Sequence, residues 1–167
     1  ENNILTFIDP RSEKLGIKAY IEYQKMSIII NKFNLNEINF SVYRELLINN
    51  LIPYSTEDLI VNKSLLLENN FDNINAIDWE KGCYVGQEIT ARMKYRALLK
   101  KSIKALEIIS GNTEPGNKIF YNKNEVGEII SCFNNFAIGM LKIEDVKDIF
   151  RNKRIVKTES ANLKIIK

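Results

Sequence analysis

The spacing of apolar and polar positions divides the chain into a mixed first part and a strand-rich second part. An apolar run over residues 4–8 predicts a strand that ends at Pro10, since proline cannot donate to a strand ladder. Apolar and polar residues alternate over residues 16–23, which is typical of a second, half-buried strand. The first two elements are therefore expected to form a β-ribbon.

After the ribbon, the apolar residues recur at the spacing of a helix. Apolar residues from Ile38 to Leu47 predict a helix that begins near Asn36 and stops at Asn49. A capping pattern that starts at Ser55 predicts a short second helix. Residues 65–77 are predicted to form loops, and a further helix is predicted over residues 86–95.

From residue 100 onward, short apolar segments alternate with turn signals. Strands are predicted at 102–109, 118–121, 125–133, 136–143 and around residues 155 and 163, with Gly and Asn turn residues between them. Such closely spaced strands favour a small antiparallel barrel or sandwich. The sequence thus predicts an α+β protein with an α+β domain over residues 1–100 and a small antiparallel β domain, a barrel or a sandwich, over 101–167.

Composition and charge narrow the possible partners. The chain has 167 residues and a net charge of +3, from 24 basic and 21 acidic residues, a balance too even to favour a polyanion groove. No nucleic-acid partner is therefore expected, and the apolar runs are shorter than the roughly 18 residues that span a bilayer. The basic cluster from Lys94 to Lys104 is interpreted as a solvated face, with docking of an anionic ligand tail as the alternative.

The counts of histidine and cysteine exclude several kinds of site. With no histidine and only Cys83 and Cys132, the chain cannot form histidine-based catalytic triads or supply four thiolates to an iron–sulfur cluster. No metal site is expected. Two distant cysteines favour a reducing compartment, and we expect a cytoplasmic protein without a disulfide. Because the sequence starts at Glu1 within a strand-like run, we expect a fragment or processed product.

The segment from Lys81 to Arg92, with sequence KGCYVGQEITAR, combines glycines, charges and a cysteine at the start of a predicted helix. The positive end of that helix and the Lys81 ammonium would favour a reactive thiolate at Cys83. Cys83 could equally be a small buried residue of the core. Glu88 suits the first helical turn, and pairing with Glu88 is the default role of Arg92, with anion contact second.

This segment, together with residues 93–96, closely resembles the signature of the YgfZ family of folate-binding proteins. That family is implicated in iron–sulfur cluster assembly or repair and is related to the glycine-cleavage T-protein, an aminomethyltransferase. Further matches are the FIDPR sequence at residues 7–11, Tyr43-Arg44 and Leu67-Glu68-Asn69-Asn70. The resemblance covers nearly the whole chain but lacks the N-terminal portion of the family.

The resemblance implies an aminomethyltransferase-like, folate-binding fold followed by a small C-terminal antiparallel β-barrel. Tetrahydrofolate or a one-carbon derivative is the implied cofactor, and Glu68 is the residue expected to face the pterin ring, because a carboxylate can accept two parallel hydrogen bonds from it. Cys83 and Lys81 are the candidate redox or nucleophilic groups. The remaining residues assigned to cofactor binding are Tyr84, Gln87, Glu88 and Arg92.

Three functions follow as hypotheses. The first is a folate-dependent accessory factor that supports [4Fe–4S] proteins, with folate and iron–sulfur client or assembly proteins as partners. The second is a tetrahydrofolate-dependent aminomethyltransferase, for which the T-protein's catalytic aspartate would lie in the missing portion. The third is a folate-sensing module that binds a protein, RNA or a tRNA modification enzyme through its barrel.

Overall fold

A computed structural model describes residues 4–83, 85–96, 98–152 and 155–167 of the chain. Within these ranges, a first part made of helices, turns and a two-stranded ribbon precedes a closed barrel of six antiparallel strands. The expected α+β class is therefore confirmed. No helix among the described residues is long and apolar enough to cross a membrane.

The predicted β-ribbon is present. Strand β1 (Leu5–Ile8) pairs antiparallel with β2 (Ile17–Tyr20). The turn between them is held by the buried carboxylate of Asp9, which accepts hydrogen bonds from the backbone and the guanidinium of Arg11 at 2.7–3.0 Å. This cation lowers the pKa of Asp9 to about 2. The proline turn seen in the sequence is thus fixed by a local ion pair.

Three helices follow the ribbon: α1 (Met26–Lys32), α2 (Phe40–Asn49) and α3 (Ser55–Asp58). The sequence pattern predicted α2 and α3 and missed α1. The face of α2 that packs inward carries Arg44, Leu47 and Ile48. Val42, one of the apolar residues whose spacing predicted the helix, is exposed. The spacing therefore located the helix but not its buried side.

The helix of the KGCYVGQE segment, α4 (Gln87–Tyr95), begins where the sequence predicted it. Gly86 precedes it with a φ angle of 88°, in the left-handed region that glycine adopts without steric cost. As the N-cap residue, Gly86 has no side chain that could cap this end of the helix. The glycine therefore sets the angle at which the cysteine-containing loop enters α4.

The barrel contains every strand that the turn signals predicted. Its strands are β3 (Lys101–Gly111), β4 (Lys118–Tyr121), β5 (Asn124–Phe133), β6 (Phe136–Lys142), β7 (Ile155–Lys157) and β8 (Ala161–Ile165). Their spatial order is β3-β6-β5-β4-β7-β8, and β8 pairs back onto β3 to close the ring. The sequence left a barrel and a sandwich open, and the structure is a barrel. Helix α5 (Ile143–Arg151), which was not predicted, lies between β6 and β7 in the chain.

The two parts of the molecule share a hydrophobic core. Ile48 and Leu51, from α2 and the turn after it, pack against Ile103, Ala105 and Ile138 of the barrel wall. A second core fills the barrel interior and includes Leu106, Ile119, Val126, Leu141 and Leu163. Apolar contact thus joins the helical part to the outside of β3 and β6.

A buried ionic network adds a polar link between the two parts. The guanidinium of Arg44 on α2 donates to the carboxylate of Asp58 at 2.5 Å, and neither side chain is more than 1% exposed. The hydroxyl of Ser131, on β5, donates to the same carboxylate. The backbone N–H of Tyr54 donates to its other oxygen at 2.6 Å. Asp58 therefore joins α2, the start of α3 and the barrel at one point.

Candidate functional site

A cleft of about 490 Å³ opens where the helical part meets the barrel. Its walls come from residues 58–69, from α4 and the segment that follows it, and from β3, β5 and β6 of the barrel. Its lining includes Glu68, Ile89, Met93, Lys100, Lys101 and Met140. The volume falls in the range of roughly 300–1,000 Å³ that is usual for pockets of small organic ligands.

Backbone anchors fix the position of Glu68 in this cleft. The backbone carbonyl of Glu68 accepts a hydrogen bond of 2.8 Å from the N–H of Ile103 on β3. Two residues further on, the side-chain amide of Asn70 donates to the carbonyl of Leu51 at 2.7 Å. The loop that carries Glu68 is therefore tied both to the barrel and to the end of α2, so its carboxylate is presented from a held backbone.

The electrostatics of Glu68 reflect partial burial. Burial raises the pKa of the Glu68 carboxyl, and the nearby Lys101 cation acts in the opposite direction. Desolvation disfavours the charged form of a carboxyl group, so a donor that satisfies the carboxylate inside the cleft would be favoured. The site is suited to a ligand that presents N–H groups to Glu68.

Two other carboxylates line the cleft, and both already have cationic partners. Asp58 is bound by the buried Arg44, and Glu128 accepts from Lys118 at 3.0 Å. Glu68 forms no ion pair within 4.0 Å among the described residues. Of the three lining carboxylates, Glu68 therefore has the most capacity left for a ligand.

Helix α4 contributes an apolar wall. Ile89 and Met93 lie four residues apart, which places them on one face of the helix, and both line the cleft. On the polar side of α4, Glu88 and Arg92 form an exposed ion pair with each other. The pairing that the sequence predicted for Arg92 is confirmed. Neither residue is among the described side chains that line the cleft.

The cysteine-containing loop lies before α4. Cys83 is exposed and carries a free thiol, and Lys81 beside it is also exposed. The backbone N–H of Lys81 donates to the Asp78 carboxylate at 3.2 Å, which shapes the turn that leads to the cysteine. Gln87, at the start of α4, is half-buried. Tyr84, which the resemblance assigned to cofactor binding, lies outside the described residues.

Aromatic and ionic contacts attach this loop to the end of α4. The indole N–H of Trp79 donates to the Asp72 carboxylate at 2.5 Å, and the ammonium of Lys94 lies 3.7 Å from the centre of the Trp79 ring. The rings of Trp79 and Tyr95 meet edge to face at 6.0 Å. A cation held over an indole face in this way is an attractive contact. Trp79, at the start of this loop, is therefore held against the C-terminal end of α4.

The two cysteines occupy different environments. Cys132 is half-buried on β5, where its thiol donates to the carbonyl of Thr113 at 3.4 Å and burial raises its pKa. Cys83 is exposed, and both thiols are free. The sequence allowed Cys83 to be either a reactive thiol or a buried core residue. Because Cys83 is exposed, it is not a core residue. Within the described ranges, no group of three or more Cys, Asp or Glu side chains could hold a metal ion.

Several cleft residues were not identified from the sequence. Ile89 and Met93 lie inside the signature segment, and their four-residue spacing was the signal that α4 has an apolar face there. Lys100 and Lys101 belong to the basic cluster from Lys94 to Lys104, and both line the cleft. Lys94, at the other end of the cluster, instead contacts Trp79 and Asp72. The cluster is thus several separate environments rather than one solvated face.

Comparison with known proteins gives curated relatives that are named as iron–sulfur cluster assembly factors. No protein-family model matches the chain. Over 109 residues the chain is 31% identical to the protein named iron–sulfur cluster assembly factor IBA57 homolog, mitochondrial, of Mycosarcoma maydis, a match that covers 65% of this chain and 26% of that protein. The Neurospora crassa homolog is 35% identical over 95 residues, covering 57% and 21%. The human protein is 28% identical over 101 residues, covering 58% and 28%.

The resemblance to the YgfZ family is confirmed. The YgfZ-like chain spans about a quarter of the length of these curated relatives. Its fold is that of the glycine cleavage system aminomethyltransferase T from Bartonella henselae, with a TM-score of 0.65 over 100% of this chain and 49% of that structure. At 10% identity this likeness concerns the fold alone. The expected aminomethyltransferase-like architecture with a terminal barrel is thereby confirmed.

One expectation is wrong. The sequence predicted a cytoplasmic protein, whereas the relatives from Mycosarcoma maydis, Dictyostelium discoideum, Neurospora crassa and human are all named as mitochondrial. The prediction used the low number of cysteines, which indicates a reducing compartment and does not distinguish one such compartment from another.

Proposed function

We propose that this YgfZ-like chain forms part of a mitochondrial, tetrahydrofolate-binding accessory protein that supports the assembly or repair of [4Fe–4S] proteins. The names of the relatives supply the iron–sulfur context, and the T-protein fold supplies the folate context. The observation that carries the proposal is the position of Glu68 in an open cleft beside α4, where its backbone carbonyl accepts a hydrogen bond from Ile103 of the barrel.

Glu68 is proposed to bind the pterin ring. Its carboxylate would accept two parallel hydrogen bonds, one from the ring N3–H and one from the 2-amino group, in the manner of a carboxylate that pairs with a guanidinium. Ile89 and Met93 would pack against the flat ring from α4, since both side chains line the same cleft. A planar ligand with a polar edge therefore fits both the carboxylate and the apolar wall.

Cys83 is proposed as the redox-active group. Its thiol is exposed on a loop that Trp79 anchors, so it can meet a thiol or a cofactor of another protein without disturbing the core. Lys81, which is also exposed, lies two residues away in the same loop. The assignment of four other residues to cofactor binding stays a prediction: Tyr84, Gln87, Glu88 and Arg92. Of these, Glu88 and Arg92 pair with each other on the exposed side of α4.

The number of cysteines favours an accessory role over that of a cluster scaffold. A [4Fe–4S] cluster commonly takes four thiolate ligands, and this chain has two cysteines and no histidine. Cys132 is half-buried on a barrel strand, while Cys83 lies on the exposed loop. The chain therefore suits the protection, reduction or transfer of an iron–sulfur species that a client protein holds.

The matched pair Cys83→Ser and Cys132→Ser tests this role. Each variant is expressed in cells in which the native gene is disrupted, and the activity of a [4Fe–4S] enzyme is measured together with the level of the expressed protein. We expect Cys83→Ser to leave enzyme activity at the level of the disrupted cells, while its protein level stays normal. Cys132→Ser should restore activity. Full activity in Cys83→Ser cells would contradict a redox role for this thiol.

A further inference from the structure

A second depression of about 490 Å³ adjoins the Glu68 cleft and is lined mainly by lysines. We name it the lysine groove; its lining residues are Leu99, Lys100, Lys101, Lys142, Ile143, Glu144 and Lys147. It lies where β3 begins, where β6 ends and where α5 starts, and the N–H of Ile143 donates to the carbonyl of Lys100 at 2.9 Å. The fold itself therefore brings these four cations together.

The positive charge of the lysines in this groove is only partly balanced: Lys101 acts on the Glu68 carboxylate of the adjoining cleft, and Glu144 lies in the lining. Lys101 and Lys142 face each other directly across the β3–β6 ladder, an arrangement of like charges that is unfavourable without a nearby anion. None of the four lysines forms an ion pair within 4.0 Å among the described residues, whereas Lys25, Lys94 and Lys118 each do. The ammonium of Lys142 is held by the neutral carbonyl of Glu125 at 2.8 Å, which leaves its charge uncompensated.

The groove carries a clear excess of positive charge. Among the described residues of the lining, Glu144 is acidic and four are lysines. Such an excess attracts an anion and costs stability when none is bound. An extended ligand with several negative groups fits this groove better than a single compact anion would.

The lysine groove is continuous with the Glu68 cleft. Lys100 and Lys101 line both depressions, whereas Lys142 and Lys147 are among the described residues that line the groove and not the cleft. A ligand whose ring occupies the cleft would therefore pass Lys100 and Lys101 as it leaves. Its tail would then reach Lys142 and Lys147.

We propose that the lysine groove binds the oligo-γ-glutamate tail of a polyglutamylated folate, and this inference rests on the proposed folate function of the neighbouring cleft. Such a tail is a flexible chain that carries one carboxylate per residue, so it can place successive carboxylates against successive lysines. The cleft recognises the ring, and the groove selects for the length of the tail.

Free oligo-γ-glutamate peptide of five residues, without a pterin ring, is the direct probe. Its affinity is measured by calorimetry for the unsubstituted protein, Lys147→Gln, Lys147→Glu and the control Lys164→Gln, an exposed lysine on β8 outside the groove. We expect Lys147→Gln to weaken binding about fivefold, equivalent to roughly 1 kcal/mol, and Lys147→Glu to abolish it. Lys164→Gln should bind like the unsubstituted protein, and the affinity should fall as salt is added.

Three results would overturn the proposal: no peptide binding, an equal loss in Lys164→Gln, or tighter binding of an α-linked glutamate peptide of the same length. The last would assign the groove to an acidic protein segment. Titration of mono- and pentaglutamyl tetrahydrofolate separates this proposal from the folate function. If both bind equally to the unsubstituted protein, the groove assignment is wrong and the folate function stands. If neither binds while the free peptide does, the folate function fails.

Discussion

At the scale of single residues, burial separates the side chains that hold the fold from those that are open to a ligand. Arg44 and Asp58 are almost completely buried and bound to each other, whereas Glu68 is half-buried in a cleft and Cys83 is exposed. The sequence identified Cys83 from its position beside Lys81 at the start of a predicted helix, and Glu68 through the family resemblance. It did not identify the partner of Arg44, because Asp58 is 14 residues away and Ser131 a further 73 from Asp58, and no local pattern predicts such contacts.

Removal of Arg44 should be strongly destabilising. In Arg44→Met the carboxylate of Asp58 would stay buried without its cation, and loss of one member of a buried pair typically costs about 3–5 kcal/mol. The matched control is Arg92→Met, in which an exposed pair with Glu88 is lost at a cost of less than about 1 kcal/mol. Urea unfolding of the two variants measures the difference. Similar losses in both would show that the buried network does not stabilise the fold.

At the scale of elements, the strands were predicted better than the helices. All six barrel strands match their predicted positions within about two residues, because Gly, Asn and Pro turn signals delimit them. Helix α1 was missed because its Ile28-Ile29-Ile30 run has no polar alternation that distinguishes a helix from a buried strand. Helix α5 was missed although Ile143, Val146 and Ile149 recur at helical spacing, because strands were predicted on both sides of this segment and no element was assigned to residues 144–151.

Of the two glycines in the signature segment, Gly86 should matter more than Gly82 for the stability of the fold. Its φ of 88° is costly for any residue with a side chain, by roughly 1–2 kcal/mol, so Gly86→Ala should lower the free energy of unfolding by about that amount. Gly82→Ala is the control, because Gly82 has ordinary φ and a Cβ atom there would meet nothing within 4 Å. Thermal unfolding of both variants checks the expectation. A larger loss in Gly82→Ala would contradict this account of how the loop enters α4.

At the scale of the whole molecule, long-range pairing decides what the sequence pattern left open. The β3–β8 pairing closes the barrel, and these strands are far apart in the chain, so the choice between barrel and sandwich was not readable from local signals. The Glu68 cleft likewise depends on the packing of the helical part against β3 and β6. The division into domains at residue 100 stays a prediction, as do the roles assigned to the individual site residues.

Calorimetric titration of tetrahydrofolate into the unsubstituted protein, Glu68→Gln and Glu128→Gln tests directly whether the Glu68 cleft binds folate. Glu128 is the control, since it also lines the cleft but pairs with Lys118. Loss of hydrogen bonds to a charged acceptor costs about 1.5–3 kcal/mol, so Glu68→Gln should weaken binding by roughly 10- to 100-fold. Glu128→Gln should bind almost as tightly as the unsubstituted protein. Equal affinity in Glu68→Gln, or no binding to the unsubstituted protein, would contradict the claim that this cleft is a folate site.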